Sequence, residues 1–392
     1  MATKTVPPAP KLPATMRAAV LDQPGQPLRV EELPVPRPRQ GEALMKVSAC
    51  GLCHSDLHVL GGAIAFPTPA VLGHEVSGEV VALGPGVDRP GIAPGQAVAA
   101  AFLMPCGGCP DCDRGRDDLC QKFFQLNRRQ GFLYDGASRL ARPDGQTVHQ
   151  YSMGGLAEYA VLPATALVPL PDGMDQTAAA TLGCAAFTAY GAVRRGADLR
   201  GGETCAVVAV GGVGGYICQI ASALGAAQVI AVDVAEDKLA AAQAKGATAA
   251  VNSAKHDAAQ AVMELTHGRG VDVAFEALGR PETWATALSL LAPGGRMTPV
   301  GLGSGAQAAA VPINQLVRSS QRVLPSYGAL TRQDLAAVVE LARRGAIDYH
   351  SVVSRRLALE EAWDGYQALA RGEVLGRAVV EMATGRHRAP AS

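Results

Sequence analysis

The residues best equipped for chemistry gather first between Cys50 and Glu75, in the run CGLCHSDLHVLGGAIAFPTPAVLGHE. It offers Cys53, then His74 next to Glu75, with Ser55 and His58 between them. A thiolate, an imidazole and a carboxylate suit a borderline-soft divalent ion, and zinc is the usual choice. Three protein ligands and one open coordination position make the pattern of a catalytic zinc. A second set follows in CGGCPDCDRGRDDLC, where Cys106, Cys109, Cys112 and Cys120 are spaced Cys-x2-Cys-x2-Cys-x7-Cys. Four thiolates in so short a loop can close a tetrahedron around one ion with no open position, which is a structural zinc site.

A further cysteine, Cys184, lies in DGMDQTAAATLGCAAFTAYGAV. It falls between a β-rich part and the next motif, where a cleft is expected, and the first set lacks a third ligand unless Glu75 serves. From the residues alone, a buried structural cysteine is an equal reading.

The third set binds no metal. ETCAVVAV (Glu203 to Val210) is an apolar run suited to a buried parallel strand. GGVGG follows, then an Ala/Ile/Leu helix to Leu224, then QVIAVD ending in Asp233. In this βαβ unit Gly211, Gly212, Val213 and Gly214 form a turn that lets a pyrophosphate approach the backbone at a helix N-terminus. Asp233, 19 positions after Gly214, would accept bonds from the adenosine ribose hydroxyls and repel a 2′-phosphate, so the cofactor reads as NAD over NADP. Ala209 stands where the first glycine of G-x-G-x-x-G is usual, which weakens the motif taken by itself.

These residues need scaffolding, and the pattern supplies two kinds. Met16 to Val20, the segment after Pro27, Ala43 to Cys50 and Gly73 to Leu83 read as short strands punctuated by Gly/Pro turns, a small irregular β domain or barrel. Residues 121–150 read as a polar surface excursion with short strands, and Tyr151 to Leu162 as a resumed strand. Beyond Asp233, VDVAFEALG, a helix from Glu282 to Leu291 and the strand RMTPVGLG continue a doubly wound sheet. A helical TRQDLAAVVELARRGAI and a closing strand GRAVVEM end the chain, before a frayed tail GRHRAPAS.

Composition agrees. A chain of 392 residues favours two domains. Lys+Arg and Asp+Glu both number 35, so charge gives no reason to expect nucleic acid or a membrane surface as a partner. No apolar run is long enough to span a bilayer. The start MATKTVPPAPKLPATM lacks an apolar signal core and reads as a poorly ordered arm. There are nine cysteines, four of them within fifteen residues, and without such a signal the clustered ones read as metal ligands rather than disulfides; the cytoplasm is expected.

GLCHSDLH, GHE, the four-cysteine loop, LGCAAFTAYGAV, VGGVGG with VD, and VDVAFEALG together resemble the zinc-containing medium-chain alcohol dehydrogenase family, over roughly residues 16 to 382. The resemblance implies an α/β fold: a GroES-like β-rich catalytic domain (1–185 and 327–392) interrupted by a Rossmann doubly wound parallel sheet domain (186–326). It implies two zinc ions per chain, with Cys53, His74 and Cys184 on the catalytic ion and Glu75 close behind. It implies that Asp56 holds the histidine, that Ser55 and His58 relay the proton, and that Phe102 lines the substrate pocket. Thr188 and Val213 would meet the nicotinamide side of NAD, His54 and Arg377 its pyrophosphate, and Lys238 its adenosine ribose, with Val300 a further cofactor contact.

The activity so implied is interconversion of an alcohol and its aldehyde or ketone by hydride transfer to NAD. Phe123 and Phe124, where glutathione-adduct enzymes of the family carry an arginine, point to an apolar aliphatic or aromatic alcohol, primary in the first instance. Arg128 and Arg129 keep the glutathione-adduct alternative open, and the four-cysteine loop argues against a polyol dehydrogenase. An open metal position argues against a non-catalytic NAD-binding zinc protein. The long 121–150 excursion resembles that of dimeric members, so a homodimer is expected.

Overall fold

The computed structural model describes residues 12–303, 305 and 307–382. The start of the N-terminal arm and the tail GRHRAPAS lie outside the described residues.

The apolar run at 204–208 becomes the centre of a six-stranded sheet. Its strands are Ala249–Asn252, Gln228–Asp233, Thr204–Val208, Val271–Glu276, Leu291–Pro299 and Arg322–Val323, in that spatial order. Every pairing is parallel. The order reverses direction beside Thr204–Val208, and such a reversal opens a crevice at the carboxyl ends of the strands. Both faces are covered, so the central strands are apolar throughout; Cys205, Ala206 and Val207 are fully buried. The predicted boundary at Leu291 shifts: the helix is Pro281–Ser289, and Leu291 already opens the next strand.

The β-rich part contains two sheets. Five strands pair in the order Arg29–Pro34, Thr15–Leu21, Ala70–Val71, Thr147–Gln150, Leu140–Ala141. In the second, Glu42–Gly51 is the hub: it pairs antiparallel with Glu75–Leu83, with Tyr159–Pro163 and with Arg377–Glu381. The last pairing sets Val379 opposite Gly51 and Val380 opposite Cys50, so the chain's end returns to the strand that leads into Cys53. It also delivers Arg377 to the crevice.

Two segments depart from their sequence reading. The excursion at 121–150 is not simply surface. Phe123–Arg128 forms a π-helical turn with Phe123 and Asn127 buried. The stretch 151–158 is irregular, and the strand begins only at Tyr159.

Candidate functional site

Cys53 ends the run from the hub strand and caps the helix His54–Leu60. His74 and Glu75 stand where Glu75–Leu83 begins, and Cys184 occupies the break between a 3-10 turn and the helix Ala185–Gly191. Ligand atoms of Cys53, His74, Glu75 and Cys184 lie within 4.8 Å of one another, and all four residues are buried. Cys184, ambiguous from composition, is therefore part of this cluster.

The surroundings tune the donors. The carboxylate of Asp56, fully buried, accepts from Nδ1 of His74 at 3.0 Å, from Oη of Tyr366 at 2.8 Å and from the Cys53 backbone N–H at 3.4 Å. Burial works against it, but Asp56 and Cys53 hold the His74 imidazole well above its ordinary range; with Nδ1 held by Asp56, Nε2 is the nitrogen that would give up its proton to a metal. A hydrogen bond from the Cys184 thiol, with the Arg377 and His74 cations, holds Cys53 well below the ordinary thiol range despite burial. Burial pushes the Glu75 carboxyl up to about 7, against the pull of Arg377. Arg377 Nη2 sits 3.2 Å from Glu75 Oε1, yet neither Glu75 oxygen has a hydrogen-bond partner. Two sulfurs, an imidazole nitrogen and a reserve carboxylate with unsatisfied oxygens are a donor set that fits zinc.

Cys106, Cys109, Cys112 and Cys120 also lie within 4.8 Å of one another. Cys109 caps the short helix Pro110–Asp113, and Cys106 donates its backbone N–H to the Cys120 sulfur at 3.2 Å. Burial works against the Cys109 thiolate, but the backbone N–H groups of Cys112 and Gln121 outweigh it and bring the thiol down to about 6. Arg332, from the helix Thr331–Arg343, clamps the loop by donating from Nε to Asp117 at 2.8 Å and from Nη2 to the Cys112 carbonyl.

The glycine turn follows the carboxyl end of Thr204–Val208. Gly211 caps the helix Gly212–Ala223. A Cβ on Gly214 would come within 2.0 Å of the Ala209 carbonyl, so only glycine allows the helix to seat on the strand. A Cβ on Gly212 would meet Arg377 Nε at 2.7 Å, which puts that guanidinium between the glycine turn and Glu75; its Nε is buried and unpartnered. Ala209 has φ +71, so the alanine adopts the left-handed conformation that glycine prefers. Asp233 ends its strand and accepts from the backbone N–H groups of Val210, Val234 and Ala235. Desolvation holds the His54 imidazole below its ordinary range, and the Arg377 and Lys238 cations push the same way. Thr188 follows Cys184 by one helical turn, its N–H bonded to the Cys184 carbonyl at 2.8 Å. Val213 and Val300 are half-buried at the carboxyl end of the sheet.

Ser55 Oγ lies 3.7 Å from the Cys53 sulfur, and His58, three residues on, shares its helix face. Phe102 is buried with its ring 6.1 Å from His74 and 5.4 Å from Tyr327. Of the two phenylalanines read as pocket-forming, Phe124 stands 5.9 Å from Tyr327, whereas Phe123 is fully buried in the core. Sequence reasoning missed Tyr366, Tyr151 and Tyr327; only their late packing against His74, Asp56 and Phe102 marks them.

This architecture has known counterparts. A family model described as an alcohol dehydrogenase GroES-like domain matches residues 39–172, and one described as a zinc-binding dehydrogenase matches 212–344. An NDMA-dependent alcohol dehydrogenase of Amycolatopsis methanolica is 32% identical over 362 residues, covering 91% of this chain and 96% of that protein. The chain belongs to the zinc-containing medium-chain alcohol dehydrogenase family. Among solved members, an alcohol dehydrogenase zinc-binding domain protein from Burkholderia ambifaria superimposes with TM-score 0.89 at 30% identity, covering 94% of this chain and 99% of its own. A benzyl alcohol dehydrogenase from Acinetobacter calcoaceticus gives 0.87 at 27% identity, with the same coverage. As in this dehydrogenase family at large, a zinc and a nicotinamide cofactor belong to the fold, and alcohols and aldehydes are its small-molecule substrates. No helix among the described residues is long and apolar enough to cross a membrane.

Proposed function

We propose that this chain interconverts a primary alcohol of apolar aliphatic or aromatic skeleton and its aldehyde, using NAD and two zinc ions per chain. The observation that carries the reading is the buried convergence of Cys53, His74, Glu75 and Cys184 beside the glycine turn, with Arg377 reaching both. Cys53, His74 and Cys184 would hold the catalytic zinc, and Cys106, Cys109, Cys112 and Cys120 the structural one. When bound, the metal supplies Lewis-acid polarisation of a substrate oxygen and the nicotinamide supplies the hydride acceptor.

The chain's own residues do the rest. Asp56 fixes the His74 tautomer, and Tyr366 fixes Asp56. Ser55 takes the hydroxyl proton and His58 hands it towards solvent. Phe102, Phe124 and Tyr327, whose rings pack together, would supply the apolar wall for the substrate, in keeping with the likeness to a benzyl alcohol dehydrogenase. Thr188, Val213 and Val300 orient the nicotinamide, Arg377 and His54 face the pyrophosphate, and Asp233 with Lys238 selects NAD by its ribose hydroxyls. Nine unpaired cysteines support a reducing compartment, the cytoplasm. The open edge strand Arg322–Val323 and the exposed Ile313 (75%) and Val317 (72%) support a homodimer.

The test is NADH formation by zinc-loaded protein with NAD⁺ and a panel of primary, secondary and aromatic alcohols, with NADP⁺ alongside. Turnover of one class with NAD⁺ is expected. Turnover with NADP⁺ alone would overturn the Asp233 argument, and no turnover with two zinc ions per chain would overturn the substrate class.

A further inference from the structure

The same chain segments build the four-cysteine loop and the aromatic wall. Phe102 lies four residues before Cys106, and Phe124 four residues after Cys120, with its N–H bonded to the Cys120 carbonyl at 3.2 Å. Both rings meet Tyr327, at 5.4 Å and 5.9 Å between centroids. Phe102 is also fixed from the side of Cys184: it donates its N–H to the Gly183 carbonyl at 3.0 Å, and its own carbonyl accepts from the Ser152 hydroxyl at 3.0 Å. Tyr327 comes from far along the sequence, so its place depends on what holds residues 326–334.

That segment is a strap fastened at several points. Gly328, at φ +65, passes so close to the wall that a Cβ there would lie 2.5 Å from Leu103 and 3.1 Å from the Phe102 ring. Its carbonyl faces Gly191, where a Cβ would come within 1.8 Å of it, on the helix Ala185–Gly191 that starts at Cys184. Thr331, buried, donates its hydroxyl to the Leu103 carbonyl at 2.7 Å. Arg332 then reaches into the cysteine loop. Its backbone N–H and its Nε each donate to the buried Asp117 carboxylate at 2.8 Å, and Nη2 donates to the Cys112 carbonyl. Asp334 holds the start of this helix, accepting from the Leu330 N–H at 2.9 Å and from Arg195 at 2.7 Å. A buried carboxylate bonded by one residue from both backbone and side chain is a geometrically specific anchor, unlike an exposed ion pair. It lies five positions after Tyr327, at the end of the strap that carries the third ring.

We infer that Arg332 is a positioning residue for the substrate: by tying the strap to the four-cysteine loop it sets Tyr327 against Phe102 and Phe124, and so fixes a preference for a bulky aromatic alcohol over a small one. The four-cysteine loop thereby contributes to selectivity as well as to stability. This deepens the alcohol-oxidation reading and rests on it. Packed rings leave little slack, so freeing one end of the strap lets Tyr327 tilt and loosens the wall. A small alcohol makes few contacts with such a wall and loses little, whereas an aromatic one loses the surface it packs on.

The test compares benzyl alcohol with ethanol in zinc-loaded wild type, Arg332→Met, Arg332→Lys and Arg142→Met. The last variant breaks a comparable arginine fork, to Glu31 and Asp22 beside the five-stranded sheet, and controls for lost stability. Arg332→Met lowers the ratio of kcat/KM for benzyl alcohol to that for ethanol about 10-fold, the scale of one lost pocket contact. The loss falls on KM for benzyl alcohol, with kcat kept. Arg332→Lys keeps the charge without the fork and recovers part of the ratio; Arg142→Met leaves it at the wild-type value. Amide hydrogen exchange followed by mass spectrometry needs no turnover: in Arg332→Met protection falls at 101–104 and 326–331 with two zinc ions retained, and in Arg142→Met it does not. If the wild type oxidises no alcohol, the alcohol reading fails, while exchange at 101–104 still decides whether the clamp reaches the wall. A ratio unchanged in Arg332→Met, a ratio lowered equally in Arg142→Met, or exchange that rises only within 106–120 would overturn the proposal. So would loss of one zinc ion with equal damage to both alcohols, which would make Arg332 a support of the metal site alone.

Discussion

Cys106, Cys109, Cys112 and Cys120 come from one loop of fifteen residues, whereas Cys53, His74 and Cys184 arrive from a strand end, a turn and a helix break far apart in the chain. The loop is self-contained: its sulfurs face one another, its backbone N–H groups support the thiolates, and one clamp from Arg332 ties it down. The other cluster is surrounded by buried charge, with Asp56 on one side and Glu75 and Arg377 on another. A homogeneous local set saturates its ion and has nothing left over. A mixed set, assembled by the whole fold, keeps an open position and a field around it, and that is what reactivity needs.

Breaking each region should therefore fail differently. The largest effect is expected from Cys112→Ser. It removes a proposed ligand of the four-cysteine site; a structural zinc in isolated peptides contributes about 10–16 kcal/mol, although the Arg332 clamp here retains part of the loop. At about 2–4 °C per kcal/mol in larger domains, a fall in Tm of roughly 10 °C or more should be seen by calorimetry, with one zinc left per chain. Survival of both zinc ions would contradict the four-thiolate assignment.

Next comes Arg377→Ala, which removes the cation opposite Glu75. A loss of up to about 3–5 kcal/mol in urea unfolding is expected well above pH 7, where the carboxyl must stay charged, and a smaller one below it, where burial lets Glu75 take up a proton, together with a raised KM for NAD. A loss below 1 kcal/mol would mean that the pair does not bridge the two halves of the crevice.

Asp56→Asn sharpens the comparison without removing a ligand. Carboxylates that hold the free nitrogen of a zinc-bound histidine typically contribute about 10- to 100-fold in affinity or activity, so kcat/KM should fall about that much while the four-cysteine site keeps its zinc. Tyr366→Phe should act in the same direction and more weakly, since Asp56 keeps its other two donors.

The smallest effect concerns neither metal. Ala209→Gly relieves a left-handed alanine at φ +71 but adds freedom to the unfolded chain, so stability should change by no more than about 1 kcal/mol. A larger loss would show that the alanine methyl packs in a way that outweighs its backbone strain.

What could be read in advance follows the same division. The four-cysteine loop, the GHE step and the βαβ turn are local patterns, and local spacing suffices to find them. QVIAVD is the strand Gln228–Asp233, with Asp233 at its end. Cys184 needed the family resemblance, because nothing within a few residues of it distinguishes a ligand from a core thiol. Tyr366 bonds Asp56 across 310 positions of sequence, and no periodicity carries that information. Asn127 was hidden differently: the polar composition of 121–150 suits a surface loop, and the burial of this side chain is visible only when 150–152 packs against the turn. Phe123 misled for a matching reason, since an aromatic in a loop can serve core or cleft alike.

The account rests on two zinc sites of opposite character, and zinc content measured together with alcohol oxidation in the wild type and Cys184→Ser tests it most directly. Two zinc ions per chain in the wild type, one in a folded Cys184→Ser, and oxidation lost only in the variant are predicted. A Cys184→Ser protein that keeps two zinc ions and oxidises alcohol at the wild-type rate would contradict it.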